Sequence, residues 1–335
     1  MSSATGSVRF TRGLGFSLLA LGVALCASLA LGAGDVTPLQ VLRWVLGDDD
    51  GSAGFVVTEL RLPRSCVGIV VGAALGVAGN LLQTVTRNPL AEPDLLGVSA
   101  ASTTAVVIAI LLGASVTTLQ VWVAVLGAMC GCALVLAAAR LRGVGDDPIR
   151  LILAGAALKG VLTALVSLVL LLDQRSADEI RFWTIGALAG RGYEELLGVA
   201  APLLLGVLLV AYLSRPLAAL ALGERIASGL GHSPRLTRWL TLLAVALLSG
   251  VAVALAGPIA FFGLVVPVLA RALVGPDIRR TLPLCVLLGP AVLLAADVVA
   301  RLLVRPSELP LGVVTAVIGA PVLVAVVRAH RLPRL

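Results

Sequence analysis

The chain has one lysine, Lys159, and two histidines, His232 and His330, in 335 residues, and only 13% of its residues are charged. Soluble domains carry about a quarter of their residues as charges, so a soluble fold is excluded. A nucleic-acid interface goes with it, because that needs a basic soluble face. Two histidines, both in polar contexts, leave almost no material for a histidine-centred catalytic site or a protein metal site. The lone lysine sits in Ala157-Leu158-Lys159-Gly160-Val161, so the phosphate-cradling loop G-x-x-x-x-G-K-[ST] does not occur. Neither H-E-x-x-H nor G-x-S-x-G is found, which removes the simpler membrane-enzyme readings. The five cysteines, Cys26, Cys66, Cys130, Cys132 and Cys285, lie scattered in apolar stretches. Cys130 and Cys132 are two apart and so point to different sides of a helix, which suits small packing residues better than a shared metal.

What is abundant is apolar sequence: 59% of residues are hydrophobic and the mean hydropathy is +1.08. The chain reads as an integral membrane protein. Each crossing needs about 20 apolar residues, so ten crossings would use about 200 and leave only short loops. The expected crossings lie near 14–33, within 61–100, then near 96–112, 118–140, 150–172, 197–214 and 238–256, within 257–280, and near 281–303 and 311–328. The first has a basic start and a small-residue end like a signal peptide, but its length favours a retained helix. Residues 34–60 are expected to form an external link. There Thr37-Pro38 caps a short interfacial helix carrying Trp44, and Asp48, Asp49, Asp50 and Glu59 keep the link wet. Residues 173–196 read as an external loop and half-helix with Phe182, Trp183 and Tyr193 at the interface level. Pro258, Gly263 and Pro267 predict a broken or kinked eighth helix.

The organising stretch is Arg61–Ala100, RLPRSCVGIVVGAALGVAGNLLQTVTRNPLAEPDLLGVSA. Gly68, Gly72 and Gly76 recur every four residues and Gly79 sits beside them. Between helices in lipid, small residues let two backbones approach closely, so this helix is expected inside the bundle. Its end turns polar at Asn80, Gln83, Thr84, Thr86, Arg87 and Asn88, groups that must face protein or a wet cavity. Asn88-Pro89-Leu90 and Glu92-Pro93-Asp94 then stop the helix. Lys159, two to three turns inside the fifth crossing, reads as a side chain snorkelling to the interface or as one lining a path. Leu217, Leu220, Ala221, Glu224, Ala227 and Ser228 repeat at helical spacing, ended by Gly229, Gly231 and Pro234. This predicts a short amphipathic helix over 216–230.

With the amino terminus inside, the inner segments hold 17 basic and 6 acidic residues, and the outer ones 8 and 11; Asp297 is left within a helix. That asymmetry is what the positive-inside rule demands. Without a nucleotide loop, any ATP-driven step belongs to another polypeptide. A carrier driven by protons or sodium would leave ionisable groups near mid-membrane, and Asp297 is the main candidate.

RLPR, the glycine helix, RNPLAEPDLLGVSA, GPIAFFGLVVP and ELPLGVVTAVIGAP, in that order, resemble the permease subunit of ABC importers for iron-siderophores, haem and cobalamin. The resemblance runs from about residue 15 to about residue 330. It implies an all-α fold of about ten transmembrane helices of the type II importer architecture, in a single permease domain over 1–335. It implies a multi-pass protein of the bacterial inner membrane with both termini cytoplasmic. No cofactor is expected on this chain, and ATP and magnesium belong to the partner ATPase. The implied partners are a second permease subunit, identical or a paralogue, two ATP-binding subunits and an extracytoplasmic substrate-binding protein. By the same resemblance, residues 216–234 form the coupling helix and loop, with Leu217, Leu220, Gly223, Glu224, Ala227 and Gly231 matching its motif. Asn88, Pro89 and Leu90 match the inner gate, with Thr163 as a companion. Arg61, Arg64 and Arg301 match arginines offered to the binding protein, although Arg301 could pair with Asp297 one turn earlier. Val268 and Ile278 stand where histidine is common in the family.

Overall fold

A computed structural model describes residues 2–34, 36–48, 51–113, 117–140, 148–172, 186–304 and 307–328. These are helical almost throughout. The chain begins with α1 (Ser2–Ala30) and the short α2 (Pro38–Val45). Thr37 accepts from the Gln40 backbone and Gln40 reaches back to the Thr37 N–H, the reciprocal cap that starts a helix at Pro38. α3 (Ser52–Phe55) passes through a π-turn (Val56–Arg61) into α4 (Leu62–Thr86). The second crossing therefore begins about nine residues before Arg61, inside the stretch expected to be an external link. Val57 is buried there and anchors the extension.

A 3-10 turn (Pro93–Leu96) leads into α5 (Val98–Leu111), followed by α6 (Thr117–Arg140) and α7 (Pro148–Leu172). Then come α8 (Tyr193–Gly198), α9 (Ala200–Ala221), α10 (Glu224–Gly229) and α11 (Pro234–Ala256). The chain closes with α12 (Phe262–Val274), α13 (Ile278–Leu303) and α14 (Leu311–Arg328). Among the described residues, six helices are long and apolar enough to cross a membrane, and four shorter apolar helices accompany them. The expected break after the seventh crossing is present: Gly257–Phe261 is not helical and α12 has only 13 residues. Phe182 and Trp183, Asp49 and Asp50, and His330 fall outside the described residues, so the interface reading of that loop concerns Tyr193 alone.

The expected amphipathic helix over 216–230 is two elements. α9 continues through Pro216 to Ala221, so Leu217 and Leu220 belong to a crossing helix and are buried in the core. A proline inside a helix removes one hydrogen bond, and here the burial of the two leucines outweighs that loss. The break comes instead at Gly223, whose φ of +125° and ψ of 152° belong to a region open essentially to glycine.

α4 and α11 form the centre, with 78% and 83% of their apolar windows buried, against 17% for α7. The glycine face of α4 makes this possible. A β-carbon at Gly79 would lie 1.8 Å from the Gly263 carbonyl oxygen of α12, and one at Gly72 would meet the Gly289 backbone of α13 at 2.7 Å. Backbone-to-backbone packing at that range excludes every other residue type.

Candidate translocation path and its two ends

α4 carries Arg64 in its first turn and is followed by the turn at Asn88. At 1.5 Å per residue those points are about 36 Å apart, which places them at opposite ends of the bundle.

At the Arg64 end, a cavity of about 590 Å³ is lined by Arg61, Arg64 and Arg301 together with Glu59, Arg191 and Glu308. The π-turn widens the helix and aims Arg61 inward. Its guanidinium donates to the Leu29 and Ala30 carbonyls at 2.8 and 2.9 Å and to Val36 at 3.1 Å. The first two are unsatisfied carbonyls at the end of α1, where a cation is favoured, and the third lies in the link before α2. Arg301 serves the same helix end, donating to the Ser28 and Leu31 carbonyls at 3.2 and 2.9 Å and to Ser28 Oγ at 3.0 Å. Asp297 lies between two cations, 2.7 Å from Arg64 and 3.0 Å from Arg301, so the Arg301 pairing expected one turn away is present. Arg64 also reaches Glu308 at 2.8 Å. Of the three arginines, Arg61 and Arg301 are buried while the Arg64 side chain remains 14% exposed. In the loop before α8, burial lowers the Arg191 guanidinium below its ordinary value, and the Glu195 carboxylate at 3.9 Å opposes that.

At the other end, α4 stops on Arg87, which takes a left-handed conformation at φ 50° and ψ 32°. The Asn88 N–H donates back to the Gln83 carbonyl at 3.1 Å, closing the helix end. Asn88 Oδ1 then accepts from the Leu90 N–H at 3.0 Å, and its carbonyl accepts from Ala91 at 3.1 Å. Asparagine before proline thus builds a turn with its own side chain. The segment that follows is tied to three neighbours. Arg87 Nη2 donates to the Leu220 carbonyl of α9 at 2.7 Å. Asp94 pairs with Lys159 of α7, so the lone lysine, although partly exposed, is tied to the turn by an ion pair. Pro93 rests against Gly263, and the Glu92 carboxylate takes a backbone hydrogen bond from Phe261. Burial, then the neighbouring Asp94 charge, raises the Glu92 carboxyl to about 8. Thr163 lies one turn beyond Lys159 on an exposed face of α7.

Beyond Gly223, α10 turns Glu224 outward to pair with Arg238 and buries Ala227. Gly231, with φ of +79°, ends the element by donating to the Ser228 carbonyl at 3.0 Å. The exposed apolar side chains here are Leu222, Ile226 and Leu230. Ile226 lies on α10, with Leu222 just before the Gly223 break and Leu230 at its end, and reading for the core-facing pattern passed over all three.

This bundle, with a basic-acidic cavity at one end and a proline turn at the other, is matched by the model of the FecCD transport family over residues 19–329. The chain belongs to the FecCD transport family. It is 43% identical over 97% of its length, and 98% of the relative, to the ferric enterobactin transport system permease protein FepD of Escherichia coli (strain K12). It is 40% identical to the vitamin B12 import system permease protein BtuC of Serratia proteamaculans (strain 568), covering 92% of this chain and 90% of that one. Its fold matches a solved chain described as an inward-facing metal-chelate type ABC transporter, with a TM-score of 0.81, 31% identity, and coverage of 95% and 99%. This FecCD-family chain is therefore a multi-pass transport permease of the ABC importer class. It moves cargo and leaves ATP hydrolysis to a separate subunit. The expected all-helical fold, family and membrane placement are borne out.

Proposed function

We propose that this permease carries a ferric-siderophore, or a related iron chelate, inward by alternating access, with haem or cobalamin as the alternative cargo of the same importer type. The observation that supports this reading is the relationship to the ferric enterobactin permease along nearly the whole of both chains. Both termini are assigned to the cytoplasm by the charge asymmetry of the loops. The Arg64 mouth then faces outward and receives the substrate-binding protein. Arg64 meets acidic groups there, while Arg61 and Arg301 brace the mouth from beneath; opposite charges at a rim steer docking. Two ATPase subunits seat on 222–231, where Leu222, Ile226 and Leu230 give an apolar contact and Gly223 an abrupt joint. Asn88-Pro89-Leu90 and Thr163 form the inner gate, and a second permease subunit completes the path beside α7, the long helix least covered by its own chain.

A carrier driven by an ion gradient would use Asp297, yet two guanidinium groups enclose that carboxylate. The test is uptake into vesicles holding the permease, its ATPase and its binding protein. Uptake of ferric siderophore that needs ATP and is blocked by vanadate is the expected result. Ile226→Asp is expected to remove the ATPase from the purified complex. Uptake by the permease alone on an ion gradient, or full ATPase retention by Ile226→Asp, overturns the reading.

A further inference from the structure

Arg87 is an odd residue for its place. A left-handed residue just past a helix end is ordinarily glycine, which adopts that conformation without strain. Among the described residues only Arg87 and Phe261 do so with a side chain. A glycine would close α4 equally well, so the side chain has a separate task. The structure shows what it touches: the guanidinium donates to the Leu220 carbonyl at 2.7 Å, 133 residues away in sequence. That carbonyl is among the last of α9, where the helix dipole places negative charge and the backbone leaves acceptors open. It is also three residues before Gly223, whose N–H bonds to it at 3.0 Å. On the other side, Arg87 is bonded through the main chain to Asn88, whose carboxamide and carbonyl build the Pro89 turn.

We infer that Arg87 is the positioning residue that transmits movement of the 222–231 element to the Asn88-Pro89-Leu90 gate, by carrying the end of α9 and the end of α4 as one body. A charge-assisted hydrogen bond to a helix-end carbonyl is short and directional, and no loop has to relay the displacement. The Asp94–Lys159 pair and the Pro93 contact with Gly263 then serve as the fixed points about which the segment turns. This inference rests on the proposed seating of the ATPase at 222–231, and the two fail differently.

The test uses the full importer in vesicles, measuring ATP hydrolysis and ferric-siderophore uptake together. Arg87→Met, which keeps bulk and loses the donors, is expected to retain the ATPase in the complex and to hydrolyse within about threefold of the parent. Its uptake per ATP is expected to fall by tenfold or more, and Arg87→Lys, which restores a cationic donor, is expected to recover most of that ratio. An unchanged ratio in Arg87→Met, or hydrolysis and uptake falling in proportion, overturns the inference. If the seating itself is wrong, Ile226→Asp keeps its ATPase whatever Arg87 does. A second measurement leaves Arg87 in place, so a variant that fails to assemble does not end the test. Spin labels at Thr86→Cys and Arg215→Cys, in a chain otherwise without cysteine, report the α4–α9 separation. A separation that stays within about 2 Å between nucleotide-free and ATP-bound states is expected, and a larger change overturns the inference.

Discussion

Replacing Asp297 by Asn removes the one anion that two arginines share. Asp297 is 1% exposed and Arg301 2%, so neither charge is relieved by water. Breaking a buried pair by deleting one partner costs about 3–5 kcal/mol, because the remaining charge is left uncompensated. The two arginines do not suffer equally. Arg64 keeps a direct pair with Glu308 at 2.8 Å and some solvent, whereas the hydrogen bonds left to Arg301 go to neutral acceptors, the Ser28, Leu31 and residue-297 carbonyls and Ser28 Oγ. Most of the penalty therefore falls on Arg301. Adding Arg301→Met to Asp297→Asn is expected to restore about half of the lost stability. The recovery is partial because the freed carbonyls each cost about 1 kcal/mol. Adding Arg64→Met instead restores less. Reversible unfolding in mixed micelles measures all four proteins. A loss below about 1 kcal/mol for Asp297→Asn, or a better rescue by Arg64→Met than by Arg301→Met, refutes the account of the mouth.

Three other perturbations test separate parts of the fold. Gly79→Ala drives a methyl to within 1.8 Å of the Gly263 carbonyl oxygen and is expected to destabilise by at least about 3 kcal/mol, whereas Gly160→Ala, with open space around it, is expected to be neutral in a thermal melt; equal melting points contradict the packing. Glu92, raised from 4.5 to about 8, disfavours its ionised form in the fold, so native stability is expected to decline as pH rises from about 4.5 to about 8. Glu92→Gln should flatten that part of the profile, and parallel melting curves for the two proteins between pH 5 and 8.5 rule the burial effect out. The Lys159 side chain is 42% exposed, so its pair with Asp94 is worth at most about 1 kcal/mol in a double-mutant cycle; a larger coupling contradicts a solvent-screened tie.

The periodic features were legible. Three glycines every fourth residue announced the central helix, and Thr37-Pro38 announced α2, because both signals are local and each has one physical reading. Pro258, Gly263 and Pro267 foretold the interrupted eighth helix for the same reason. Boundaries failed where tertiary burial overrode a local stop signal. Pro216 reads as a helix end, yet Leu217 and Leu220 are buried on α9 beyond it. Glu59 reads as part of an external link, yet the π-turn makes it helical and aims the neighbouring Arg61 at the end of α1. Long-range partnerships were mostly invisible. Nothing near Arg87 points to Leu220, and nothing near Lys159 points to Asp94. The residues of the Asn88-Pro89-Leu90 turn were found as a motif, while the contacts that hold them came only with the fold.

The shortness of α12 explains how a polar turn can be built into an apolar bundle at all. Thirteen residues span about 20 Å, some 10 Å less than a hydrocarbon core. The missing length is where Gly257–Phe261 lies uncoiled, and its backbone has to be satisfied by protein rather than lipid. The segment after Asn88-Pro89-Leu90 does this: Glu92 accepts from the Phe261 backbone, and Pro93 packs on Gly263 where a β-carbon would be 2.8 Å away. A full-length helix would fill that space and push residues 91–96 out of the bundle. The same two glycines that bring α4 against α12, Gly79 and Gly263, therefore also admit the strap. Close helix packing and the seating of a polar turn at the Asn88 end are consequences of one small-residue contact, and lengthening α12 by even one turn would be expected to abolish the second while leaving the first.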